Sequence, residues 1–244
     1  MIKRALFVFV AVVLMASCQF TETMTLNEDG SGRMSVMLDM SEMMAFGGMG
    51  EDTTVIKMDT LVALKDYLEE KKDSIAQLPM AEQKRLKRME NFKMRMYADS
   101  DVNEMLLDVF VDFNSIEEAN DIMNGLGESS NFLDTVGDVQ VSKDESSEDV
   151  MGVNFSFKDG KFMRDAYIKD PEKYKVQLDS LGGAEAFLGG MKYTIKYTFP
   201  RKIVKTNQEN ATFSLDGKTM EFEVGFLDYF KNPDLLDIEV ELEQ

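Results

Sequence analysis

The residues able to do chemistry in this chain are few, and their absences are as informative as their positions. There is no histidine among the 244 residues and only one cysteine, Cys18. Imidazole is the commonest general base and metal ligand, so Ser-His-Asp and Cys-His nucleophiles and His- or Cys-ligated zinc are excluded. Carboxylate chemistry and a Ser-Lys arrangement remain open, neither with a recognisable signature in the chain. Asp108 and Asp112 stand four apart in an alternating apolar segment, so a strand would aim both the same way. Such a pair is a candidate for glycosidase-type acid–base work or a hard-cation site, or for two ordinary aspartates on the wet face of a sheet. Met40, Met43, Met44 and Met49 cluster before a glycine-rich break. Thioethers hold Cu(I), but with 20 methionines in the chain they serve equally as adaptable apolar filling or a flexible rim. Lys84, Arg85, Lys87 and Arg88 form a basic helix face, readable as a contact for acidic partners or lipid headgroups, or as a solvated face paired with Glu82 and Glu90.

Cys18 is the residue whose context says most. Lys3 and Arg4 precede an apolar run of twelve residues, Ala5 to Ala16, followed by Ser17, Cys18 and Gln19. That is a charged n-region, an h-region too short to span a bilayer, and a small-residue cleavage site. Leu14-Met15-Ala16-Ser17-Cys18 resembles a bacterial lipobox, with Met15 in place of the commoner leucine. The resemblance implies cleavage before Cys18 and a thioether-linked diacylglycerol on its sulfur, with lipidation assigned to Cys18 alone. The alternative is an ordinary signal peptide with an incidental cysteine; a lone free thiol in an oxidising compartment argues against it. Two or more acyl chains hold a protein firmly at a membrane. The expected organisation is a signal peptide over 1–17, a lipidated N-terminus and short tether over 18–27, and a single α+β domain over 28–244.

Removing Lys3 and Arg4 from 27 basic residues leaves 25 against 45 acidic ones, a net charge near −20. Such a surface repels nucleic acid and disfavours unaided docking on anionic lipid. No cofactor is implied.

The elements follow from periodicity. Glu28 to Gly32 is a turn between two alternating stretches, a β-hairpin. A helical pattern starts at Thr60, with Asp59 or Thr60 as its cap, and a second helix covers 81–91, together a helical insert near 57–91. Phe92 to Ala98 and Met105 to Phe113 are strands, the latter central and covered by helix over part of its length. Ser115 and Glu118 make a capping box for a helix ending near Gly125 and Gly127. Residues 128–149 are polar and read as a loop. Lys158 to Lys161 and Asp216 to Lys218 are hairpin turns, Tyr193 to Phe199 and Ile238 to Leu242 are strands, and residues 169–190 read as a charged turn and a short helix. The fold expected is α+β: a mainly antiparallel, curved sheet packed against two or three helices.

The stretch Tyr193 to Val204 with Asn207, then Ala211 to Val224 around an Asp-Gly turn, resembles the ending of LppM-type bacterial lipoproteins. Glu28 to Met40 matches their opening hairpin, whereas Arg201 stands where they usually have glycine. The resemblance implies a lipid-transfer-like fold with an apolar cavity between sheet and helix. The whole chain also looks like lipoproteins of the Bacteroidota. Asp59-Thr60-Leu61, Asp73-Ser74-Ile75, Asp179-Ser180-Leu181, Asp52-Thr53-Thr54 and Asp134-Thr135-Val136 resemble their O-glycosylation tripeptide. Together these imply a non-enzymatic envelope lipoprotein on the periplasmic face of the outer membrane. It would bind an apolar ligand or lipid, or act in assembly through protein contacts; a carboxylate hydrolase is the remaining alternative.

Overall fold

The computed structural model describes residues 19–41, 56–127, 150–183 and 185–244. Alternation of apolar and polar side chains produces twelve strands among them, in two sheets. In chain order these are β1 (Gln19–Leu26), β2 (Gly32–Asp39), β3 (Lys57–Ala63), β4 (Lys93–Asp99), β5 (Glu104–Phe113) and β6 (Met151–Lys158). Then come β7 (Lys161–Ile168), β8 (Lys192–Thr198), β9 (Ile203–Thr206), β10 (Thr212–Phe213), β11 (Thr219–Gly225) and β12 (Ile238–Leu242). Sheet A runs β10-β11-β8-β1-β2-β5-β4-β3 and sheet B runs β6-β7-β12-β9.

The class is α+β and the pairing mainly antiparallel, as expected, but the expected single, curved, lipid-transfer-like sheet packed against two or three helices is corrected. There are two open sheets, neither closed on itself, and the larger is mixed because β1 lies parallel to β8. The physical reason is the long excursion between β2 and β8. It lets β8 enter sheet A beside β1, and it leaves β6, β7, β12 and β9 to pair among themselves. The first strand, into which the expected tether over 18–27 runs, begins at Gln19 and pairs with β2 and β8.

Helices fill the connections. The helical pattern expected from Thr60 begins only at α1 (Leu64–Glu70), because residues 57–63 add to the sheet beside β4. Its N-cap is Ala63, with no side-chain cap, not Asp59 or Thr60. Then follow α2 (Lys72–Ile75), α3 (Met80–Arg88), α4 (Ile116–Gly127), α5 (Pro171–Ser180), α6 (Glu185–Leu188) and α7 (Phe226–Lys231). The charged turn expected at Pro171 is the first turn of α5: Asp170 accepts from the N–H groups of Glu172 and Lys173, and Pro171 tolerates N1. At α4, Ser115 Oγ accepts from Glu118 N at 3.3 Å while Glu118 reaches back to Asn114 N at 2.6 Å.

Helix α4 also closes the edge of sheet B. Asn120 accepts from Phe155 N and donates to its carbonyl at 2.9 Å; Asn124 does the same for Val153, at 3.3 and 2.9 Å. Four residues of helix rise about 6 Å, close to two residues of strand, so the amides sit in register with the edge and stand in for a missing strand.

The β1–β2 and β6–β7 hairpins form as expected. In the second, Asp159 and Gly160 both have positive φ, 53° and 72°, the requirement of a tight two-residue turn. At Gly32 a side chain is impossible: its Cβ would lie 2.2 Å from the Thr25 carbonyl and 2.5 Å from the Phe113 ring. Both sheets, α1 and α4 contribute to one apolar core, with Met24, Leu26, Phe162, Phe199, Ile238 and Val240 among its members.

Candidate functional site

Glu22 sits on the apolar face of β1, between Phe20 and Met24 in parity. Arg164 sits on the inward face of β7, between Phe162 and Ala166. Each is 1% exposed. Their strands belong to different sheets, and the two side chains meet across the core. Arg164 Nε lies 3.4 Å from Glu22 Oε1 and Nη2 lies 3.2 Å from Oε2. Tyr193 and Tyr197, both from β8, donate their hydroxyls to the same carboxylate, Tyr193 at 2.5 Å. Arg164 Nη1 also donates to the Leu236 carbonyl at 2.9 Å.

The electrostatics follow from this geometry. Burial pushes the Glu22 carboxyl up, but the Arg164 charge and the tyrosine and arginine hydrogen bonds outweigh it and hold it below its ordinary value. Burial, then the nearby carboxylate, pushes both tyrosine hydroxyls well up, so they stay protonated donors. Burial pulls the Arg164 guanidinium down, but Glu22 and the surrounding Tyr197, Tyr193 and Tyr229 together outweigh it and it remains charged. The cluster is a satisfied ion pair, and no solute reaches it at this burial. Its chemistry is to hold sheet A against sheet B.

Sequence reasoning missed this cluster, although one signal was present: both charges share the parity of buried apolar residues in their strands. Asp108 and Asp112 do share the outward face of β5, as the spacing implied, but they do not act together. Four residues along a strand separate them by about 13 Å, beyond the ~5–9.5 Å of a glycosidase pair. Asp112 is tied to Arg33 at 2.6 and 3.1 Å. Asp108 lies beside a small cavity of about 220 Å³ with Met37, Arg95, Tyr97 and Leu106, and its Oδ1 is buried without a hydrogen-bond partner. Burial pushes its carboxyl up, against a Ser35 hydrogen bond and the charges of Arg95 and Arg33. β5 is interior to sheet A, between β2 and β4, with Leu106, Asp108 and Phe110 half-buried on its outward face.

The other candidates fall apart in space or outside the described residues. Cys18, Met43, Met44 and Met49 lie outside them, as do the tripeptides at 52–54 and 134–136 and the stretch 128–149; Met40 is half-buried just after β2. On α3, Lys84, Lys87 and Arg88 are exposed, and Lys87 pairs with Glu90 at 2.7 Å, as a solvated face would. Asp59-Thr60-Leu61 is in edge strand β3, Asp73-Ser74-Ile75 in α2, and Asp179-Ser180-Leu181 at the end of α5. Among the described residues no group of three or more acidic, cysteine or histidine side chains is arranged to hold a metal ion. Among them, too, no helix is long and apolar enough to cross a membrane.

No protein-family model matches the chain, and no curated protein matches it. Among solved structures, the folded domain of LppM from Mycobacterium tuberculosis is weakly similar, with a TM-score of 0.42 and 7% identity over 93% of this chain and 89% of that one. The likeness assigns no residue a role.

Proposed function

We propose that this protein is a bacterial envelope lipoprotein, held at the membrane by lipid on Cys18 and acting by binding, not catalysis. One observation carries the reading. Gln19 is already the first residue of β1, an interior strand of sheet A, so lipid on the preceding cysteine would lie one residue from the end of a rigid sheet. That end carries a run of rings. Phe20 stacks on Phe226 at 5.1 Å, Phe226 on Phe230 at 6.3 Å, and Tyr193 meets Tyr229 at 5.1 Å. Phe20, Phe226, Tyr229 and Phe230 are half-buried, the kind of side chain that suits a membrane–water boundary. The periplasmic face of the outer membrane is the placement we favour.

Action through protein contacts is favoured over carriage of an apolar ligand in the interior. Between the sheets, Met24, Leu26, Phe162, Tyr197, Phe199 and Val240 are at most 2% exposed, and the Glu22–Arg164 pair closes the same space. In cells fed labelled palmitate, the wild-type chain takes up label and floats with membranes, and Cys18→Ser does neither. Label that persists in Cys18→Ser overturns the reading.

A further inference from the structure

The outer faces of the two sheets treat charge differently. On sheet A, the cations Lys196, Arg33 and Arg95 each meet a carboxylate across strands, Glu221 at 3.2 Å, Asp112 at 2.6 Å and Asp59 at 2.8 Å, and its like-charged opposed pair, Asp99 with Glu104, is acidic. On sheet B, the register sets Lys158 directly opposite Lys161, Lys161 opposite Glu241, and Glu241 opposite Lys205. Four residues from four adjacent strands thus stand abreast over about 14 Å, three of them cationic. Like charges directly opposed destabilise a sheet. Glu241 is bonded to Lys161 at 3.3 Å. Among the described residues, Lys158 and Lys205 have no carboxylate partner. This happens in a chain whose net charge is −18.

Lysine on an edge strand deters strand addition, which accounts for Lys205 on β9. It does not account for Lys161, which is on inner strand β7 facing Lys158. The row borders a cavity of about 630 Å³, within the ~300–1,000 Å³ of small-molecule sites, floored by half-exposed Met163 and flanked by the exposed Ser156 hydroxyl. Two further carboxylates border the cavity. Asp159 is in the hairpin turn, and Glu239 is one row along the sheet, about 7 Å away.

We propose that the Lys158–Lys161–Lys205 row binds a phosphate-type oxyanion, free or carried on a lipid headgroup. Ammonium groups bind phosphate as point charges and need no fork geometry, so a row of flexible lysines suits an oxyanion laid across the strands. The site is separate from Cys18 and does not depend on lipidation.

Calorimetric titration of the full chain in nonionic detergent tests it, with inorganic phosphate and with dihexanoyl phosphatidylglycerol as probes. Wild type binds at least one probe saturably, and Lys158→Gln with Lys205→Gln weakens it by about tenfold or more. Glu241→Gln, which removes the row's own counter-charge, tightens binding, whereas Lys196→Gln on sheet A changes nothing. Phosphate bound as tightly as the lipid supports a free oxyanion; phosphatidylglycerol bound about tenfold tighter supports a headgroup. Saturable heat from neither probe, or equal affinity in the lysine variant, overturns the site.

Discussion

Glu22 and Asp108 are two carboxylates on opposite faces of one sheet, and their surroundings push them in opposite directions. Glu22 is the more deeply buried, yet its carboxyl is held below its ordinary value; half-buried Asp108 is held above its own. Depth alone would order them the other way. What separates them is partners. Glu22 receives four hydrogen bonds from Arg164, Tyr193 and Tyr197. Around Asp108, Arg33 is already bound to Asp112 and Arg95 to Asp59, which leaves Ser35 as its hydrogen-bond donor. Compensation, not burial, decides whether a charge supports the fold.

The largest expected effect breaks the favourable half of that comparison. Glu22→Gln leaves the Arg164 guanidinium charged and uncompensated in the core, at a cost of about 3–5 kcal/mol. Adding Arg164→Met removes the stranded charge while the Gln oxygen still accepts from a tyrosine, so the double variant is more stable than the single. Urea unfolding of both decides it: a double variant less stable than Glu22→Gln shows that Arg164 supports the fold even without its carboxylate, through Leu236 and packing. Tyr197→Phe comes next. It removes one donor to a buried carboxylate and costs about 1.5–3 kcal/mol.

The pH dependence carries opposite signs at the two sites. A lowered carboxyl contributes stability that is complete above its ordinary value and is lost as pH falls through the folded-state value. Glu22 therefore makes the wild type lose stability in acid, below the usual carboxylate range. Glu22→Gln flattens that limb, as thermal unfolding across an acid series would record. An acid limb of unchanged steepness in the variant would show that other carboxylates drive the loss.

How much of this was legible in the sequence depends on range. Local signals read correctly: the turns at Asp159-Gly160 and Asp216-Gly217, the Ser115–Glu118 cap, and the alternation of Tyr193, Ile195 and Tyr197. Periodicity misread 57–63, where Leu61, Leu64 and Leu68 fit a helix but pairing with β4 won. Long-range order was invisible. Nothing local says that β8 lies parallel to β1, that β6 to β9 divide between two sheets, or that Asn120 and Asn124 substitute for a strand. Glu22 and Arg164 are 142 residues apart, so each looked like an anomaly in its own strand and only the fold makes them a pair.

The smallest effect sharpens the unfavourable half. A raised carboxyl favours the fold while protonated, and its ionisation costs stability as pH climbs from the ordinary carboxylate value through the folded-state one. At neutral pH, Asp108→Asn therefore stabilises the protein. Because Asp108 is only half-buried and solvent screens it, the gain is about 0.5 kcal/mol. Asp112→Asn, two rows along on the same face, goes the other way by about 0.3 kcal/mol, because Arg33 loses its partner. Equal shifts of one sign in both variants would mean that net charge, not the partners of each carboxylate, governs this face. Ser35→Ala removes the one side-chain hydrogen bond that Asp108 receives, which raises its carboxyl further and enlarges the gain from Asp108→Asn in that background.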